Sequence, residues 1–200
     1  MAIAVQDRVE PILGVFAVRL RAVLDRAMED WLATPSRGQF MYSRTRANII
    51  FDHIIRHALT EFNGDGDSTV KALREPQSVK FLFHGSVVAR FKKGNARGVG
   101  ANIETQAVLD YIAPQSSFAG LPDIHRVEIV YLLNFLGTGF AEVAIVARNM
   151  RSRVWSYPLV GRASAEIVHL PMRITPILLP PPVTPKPAAD DIAPSEHQPE

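Results

Sequence analysis

S-V-K-F-L-F-H-G-S-V-V-A-R-F-K-K, from Ser78 to Lys93, and R-V-E-I-V-Y-L-L-N-F-L-G-T-G-F-A-E-V-A-I-V-A-R-N-M-R-S-R-V-W-S-Y-P-L, from Arg126 to Leu159, decide the fold. Each segment holds two apolar runs of strand length separated by a glycine turn, the pattern of an antiparallel hairpin. In the first, residues 79–83 and 87–92 alternate around the turn His84-Gly85. Alternation puts Val87, Ala89 and Phe91 on one face and Val88, Arg90 and Lys92 on the other. In the second, residues 126–135 and 140–148 are joined through Leu136-Gly137-Thr138-Gly139. Both faces of the 126–135 run are largely apolar, which predicts a central strand covered by helices. Asn134 and Thr138 are its polar exceptions, suited to capping the turn. Residues 154–159 make a fifth strand, with Trp155 and Tyr157 on one face as core or cross-strand packing.

Two helices precede this sheet. Residues 11–33 place Leu13, Phe16, Leu20, Val23, Ala27 and Trp31 at spacings of three or four, one packing stripe. Pro11 suits a first helical position, and Thr34-Pro35-Ser36-Arg37-Gly38 ends the helix. Residues 44–62, with Ser43 as N-cap, carry Ile50, Ile54, Ala58 and Phe62 on one face. His53, His57 and Glu61 recur every four residues on the opposite face. They lack the H-E-x-x-H pattern and a further ligand, so they read as a solvated face, with no metal.

The string Asn63-Gly64-Asp65-Gly66-Asp67 starts like a calcium loop, but Ser68 and Arg74 stand where glycine and a bidentate acid are needed. It reads as a turn, followed by a short helix or irregular piece up to Pro76. After Lys93 comes Gly94-Asn95-Ala96-Arg97-Gly98-Val99-Gly100, which matches neither phosphate-binding glycine motif and reads as a plain loop with solvated charges. Residues 104–112 make a short helix, and residues 115–123 a loop.

The expected architecture is α+β. An antiparallel sheet of about five strands is packed by two long N-terminal helices and a short inserted one. The N-terminal helix occupies residues 1–38 and the core domain 39–162. An apolar extended arm follows at 163–182, and then a Pro-rich acidic tail at 183–200 that should be disordered. Nine of the 15 prolines fall between Pro171 and Pro199, a density that no packed element tolerates.

The 200 residues carry a formal charge of +2. One lysine against four acids gives residues 183–200 a charge of −3, leaving a mildly basic +5 on the rest, without the dense stripe of a dedicated nucleic-acid binder. The absence of cysteine excludes disulfides, thiolate metal sites and cysteine nucleophiles. Charge at Asp7, Arg8 and Glu10 interrupts any signal-peptide core, and no run is long enough to span a membrane. A cytoplasmic protein with no cofactor is the expectation. No G-x-S-x-G, H-E-x-x-H or P-loop is present, and the acids are scattered singly.

Arg90-Phe91-Lys92-Lys93, Asn102-x-x-Thr105-Gln106-Ala107, Tyr131-x-Leu133-Asn134-x-x-Gly137-Thr138 and Val154-Trp155-x-Tyr157-x-Leu159 occur in that order over about residues 45–160. This string resembles the RosmerT-like toxin family. Those are small bacterial and phage proteins encoded beside a regulator that joins an Xre-type helix-turn-helix to an ImmA/IrrE-like metalloprotease domain. The resemblance implies a toxin neutralised by that regulator as antitoxin, and it supplies no catalytic residues. Arg90, Lys92, Asn102, Thr105, Gln106 and Asn134 would form the functional surface, with Lys93, Thr138, Trp155 and Tyr157 as further candidates.

Two other readings compete with a toxin. One is a non-enzymatic partner protein, docking through residues 154–159 and the apolar stretch 165–179. The other is a metal-independent ribonuclease, with Arg90, Lys92, Lys93 and Arg97 on phosphate and His84 or His125 as acid–base groups.

Overall fold

The computed structural model describes residues 3–62, 69–75, 78–95, 97–101, 111 and 124–160. The expected turn at 63–68, most of the inserted helix at 104–112, the loop at 115–123, the arm and the tail lie outside them. Three helices, α1 (Gln6–Gly14), α2 (Ala17–Ala33) and α3 (Ser43–Phe62), precede a six-stranded sheet. Its strands are β1 (Val70–Glu75), β2 (Ser78–Phe83), β3 (Val87–Lys93), β4 (His125–Leu133), β5 (Phe140–Asn149) and β6 (Ser152–Pro158). They lie side by side in chain order. All neighbours are antiparallel except β3 and β4, which run parallel, so the expected α+β class holds with one parallel pair.

The expected helix over 11–33 is two helices. Gly14 weakens helix continuity, and Phe16 takes φ −97°, ψ 0° between α1 and α2. That break turns the Phe16 ring into a buried cluster 5.0 Å from Phe83 and 6.3 Å from Phe62. Pro11 therefore sits inside α1, which begins at Gln6. The piece expected to be helical or irregular before Pro76 is β1. Lys71, Ala72 and Glu75 have little strand preference of their own. Pairing with β2, from Val70 opposite Phe83 to Glu75 opposite Ser78, decides the outcome. The expected turn at His84-Gly85 is present, with φ of 47° and 66°, the left-handed pair that a two-residue hairpin turn requires.

The main core lies between the helices and one sheet face. Leu20, Val23, Ala27 and Trp31 of α2 and Ile50, Ile54, Ala58 and Phe62 of α3 are buried, as their spacing predicts. They meet Phe81, Phe83, Ala89, Phe91, Ile129, Tyr131, Ile145 and Ala147. Each of the large side chains among them contributes about 1.5–3 kcal/mol by leaving water. On the other sheet face, Val88 packs with Tyr111 and Ile124, and Val130 and Val146 pack with Val99. β4 is thus a central strand with both faces covered. Among the described residues no helix is long and apolar enough to cross a membrane.

Candidate functional site

The parallel register sets Arg90 of β3 directly beside Glu128 of β4. Both side chains are buried, at 4% and 0% exposure, so Arg90 is not part of a solvated basic patch. Its Nε and Nη2 donate to Glu128 Oε1 at 3.2 and 2.7 Å. Glu128 Oε2 accepts from the Gly100 amide at 3.2 Å and from Arg148 Nη1 at 3.4 Å. The Arg90 guanidinium also lies 3.9 Å from the centroid of the Tyr111 ring. Tyr111 donates its hydroxyl to the carbonyls of Val88 and Val127, and burial pushes that hydroxyl well above its ordinary range. Lys92 follows on the same face, and burial, reinforced by Arg90, pulls its ammonium below the usual lysine range.

The glycine-rich loop closes over this pair. Its amides are already committed: Gly94 to Tyr131 O, Asn95 to Val99 O, Gly98 to Asn95 O and Ala101 to Lys93 O. Arg97 and Val99 donate to the Asn95 side chain. A phosphate would have to displace these bonds. A Cβ on Gly100 would stand 2.5 Å from Glu128 Oε2, so the loop closes this tightly only with glycine there.

The ribonuclease candidates are not brought together. His125 pairs in register with Val87, on the helix-covered face, and the His84 ring packs 5.5 Å from Phe16. Arg90 and Lys92 occupy the other face. Lys93 is partly exposed and Arg97 exposed at the loop. Asn134 and Thr138 cap the β4–β5 turn: Asn134 Oδ1 accepts from the Thr138 amide at 2.9 Å. Trp155 and Tyr157 stack at 6.0 Å against the main core, and Trp155 donates to Ala4 O at 2.6 Å. Asn102, Thr105 and Gln106 lie outside the described residues.

The histidine face of α3 is half-buried against α2, with His53 and His57 about one-fifth exposed. Asp30 of α2 accepts from His57 Nε2 and Arg56 Nη2, each at 2.5 Å, with His53 Nδ1 at 4.0 Å. The His57 hydrogen bond, helped by the charges around it, holds the Asp30 carboxyl below its ordinary range. Burial works against ionisation of Glu61, but hydrogen bonds from Arg26 and Arg19 outweigh it and keep that carboxyl low. These contacts clamp α2 to α3. Among the described residues no group of three or more His, Cys, Asp or Glu side chains is placed to hold a metal.

A different site lies where the α2–α3 connection meets the β4–β5 turn. A cleft of about 200 Å³ is lined by Trp31, Phe40, Arg37, Ser43 and Arg46, with Met41 and Tyr42 at its rim. Trp31 and Phe40 stack at 6.0 Å and form its wall. Trp31 Nε1 donates to Gly137 O at 3.2 Å. The Arg46 guanidinium packs on Gly137, and a Cβ there would meet Arg46 Nη1 at 2.5 Å. These contacts hold Gly137 of the turn against Trp31 and Arg46; Phe135 and Leu136 just before it, and Met41 and Tyr42 at the cleft's rim, are exposed. Arg37 donates to Leu32 O, while Arg46 Nε is buried with no hydrogen-bond partner among the described residues.

Comparison with protein-family models, with curated proteins and with solved structures finds no match.

Periodicity presents residues 34–38 only as a helix stop, so the cleft is not visible in it. The available signal is the apolar triplet Phe40-Met41-Tyr42 in a connection, followed by a first helical turn with Arg44 and Arg46 and no acid.

Proposed function

We propose that this chain is the toxin component of a two-gene module, neutralised by a regulator of the Xre–ImmA/IrrE type, and that it works through protein contacts made at the cleft end. The toxin half of this reading rests on the sequence resemblance. The contact half rests on one observation: Met41, Tyr42, Phe135 and Leu136 are 90%, 73%, 99% and 72% exposed, on two loops that Trp31 and Arg46 tie together at Gly137. Monomeric surfaces seldom concentrate large apolar side chains in this way without a partner to cover them.

A binding mode is favoured over RNA cleavage because Arg90 is neutralised by Glu128 and faces away from His84 and His125. What remains for phosphate is Lys93, Arg97 and a partly buried Lys92. Each phosphate contact adds a little less than one unit to the log-salt slope, so RNA affinity through this strand would be weak.

Expression of the chain alone should arrest growth, and co-expression of the neighbouring regulator should relieve the arrest. Unimpaired growth at verified expression removes the toxin reading. If growth is unimpaired but the regulator co-purifies, the chain is a non-toxic modulator of that regulator.

A further inference from the structure

We propose that the cleft at the α2–α3 connection binds an acidic peptide segment of a partner protein, with a carboxylate on Arg46 and Arg37 and an apolar side chain on the Trp31–Phe40 wall. The inference sharpens the reading that this end is the contact surface. It does not depend on the chain being toxic.

The electrostatics point to an anion. Residues 34–47 contain three arginines, Arg37, Arg44 and Arg46, and no acid, and residues 134–140 carry no charge. The first turn of a helix favours negative charge, because its unpaired amides form the positive end of the dipole. In α3 that turn holds arginines and no acidic residue. Elsewhere α2 and α3 match their arginines with carboxylates: Arg19 and Arg26 with Glu61, Arg21 with Asp25, Arg56 with Asp30. Among the described residues Arg46 has no such partner, and its buried Nε is left without a hydrogen bond. Arg46 also lines the cleft, so its guanidinium is the charge that an incoming carboxylate would meet there. A guanidinium's planar fork suits a carboxylate in two-point contact.

The lining decides between anions. Three arginines without a lysine are few for a nucleic-acid track, so a base stacked on the exposed Tyr42 at the rim would lack the basic groove that follows the backbone. An apolar side chain flanked by carboxylates satisfies wall, rim and arginines together. The cleft volume of about 200 Å³ accommodates one such side chain and its neighbouring acid, so the segment would lie across the end and anchor at one point.

The test is titration of the purified full-length chain into a dye-labelled ten-residue peptide of Asp and Glu around a central Leu-Phe pair, read by fluorescence anisotropy. The controls are the same peptide with Asn and Gln in place of the acids, a ten-nucleotide oligo-uridine, and sedimentation of the chain alone. The acidic peptide should bind, Arg46→Gln should weaken it roughly tenfold through loss of a charge-assisted contact, and Arg37→Gln should weaken it less. Arg21→Gln, which alters an exposed pair elsewhere on α2, should leave binding unchanged. If Arg46→Gln does not fold, Arg37→Gln combined with Arg44→Gln carries the test.

Several results overturn the proposal: no binding of the acidic peptide, equal binding of the neutral one, tighter binding of the oligonucleotide, or arginine variants that bind like the parent. Self-association that excludes the peptide overturns it too, because the occupant is then a second copy. Peptide binding by a chain that does not arrest growth would leave this inference standing and remove only the toxin reading.

Discussion

Arg90 and Arg46 are both arginines with buried nitrogen atoms, and their surroundings are opposite. Arg90 meets Glu128 on the neighbouring strand, the ring of Tyr111 above it and a loop closed over the pair. Arg46 meets the backbone of Gly137, and its Nε has no acceptor among the described residues. The first is a finished interior, where charge fixes the joint between β3, β4 and the 94–101 loop. The second is an unfinished surface beside exposed aromatic and aliphatic side chains. A positive charge in the sequence therefore says little about function until its counter-charge is known.

The largest effect should come from breaking the finished region. Glu128→Gln leaves Arg90 buried without its counter-ion and should cost about 3–5 kcal/mol, read by chemical denaturation. Replacing both, as Arg90→Met with Glu128→Leu, should recover most of that loss. A loss below about 1 kcal/mol for the single variant would mean that the pair is open to solvent. For the same reason a charge reversal at Arg90 tests folding, because it would bury a second carboxylate against Glu128.

Next in size is Gly137→Ala, at the hinge of the unfinished region. Gly137 has φ 68°, and an added Cβ meets Arg46. The change should destabilise by about 1–3 kcal/mol. It should also shift the indole NH signal of Trp31, which donates to the Gly137 carbonyl. A neutral outcome with no shift at Trp31 would separate the two loops and dissolve the apolar end.

Smaller still is the pH dependence of the α2–α3 clamp. Asp30 and Glu61 titrate below their ordinary values of 3.8 and 4.5 in the folded state. A carboxyl depressed on folding contributes stability above its unfolded value and loses it as pH falls through the folded one. The melting temperature should thus decline from about pH 5 downward, and Asp30→Asn should flatten part of that decline. Asp30 is partly exposed, so its share should shrink in high salt. An identical acid limb in the Asn variant would show that His57 and Arg56 contribute nothing through Asp30. The smallest effect is expected for Lys93→Gln with Arg97→Gln, within about 0.5 kcal/mol of the parent.

Much of the fold is legible in the sequence because it follows from periodicity. The stripes on α2 and α3, the left-handed turn at His84-Gly85 and the two faces of β3 are consequences of neighbour spacing alone. Hidden are the features fixed by distant pairing. β1 is a strand because β2 offers it an edge, and Arg90 is buried because β4 runs parallel to β3 in the one register that presents Glu128. The same blindness affects the site. Arg90, Asn134, Thr138, Trp155 and Tyr157 stand out in the sequence as polar or aromatic exceptions, and each holds the fold together in this structure. Trp31 and Arg46 look like ordinary helix residues, since only the folded chain brings Gly137 between them.

The claim that function resides at the unfinished end is tested most directly by two surface variants in one growth and capture assay. Phe135→Ser with Leu136→Ser removes exposed apolar groups from the β4–β5 turn, and Lys93→Glu with Arg97→Glu reverses the charges beside β3. The account predicts that the first pair abolishes growth arrest and regulator capture with little change in melting temperature, while the second retains both. Loss of arrest in the Lys93/Arg97 variant, with full activity in the Phe135/Leu136 variant, would contradict it.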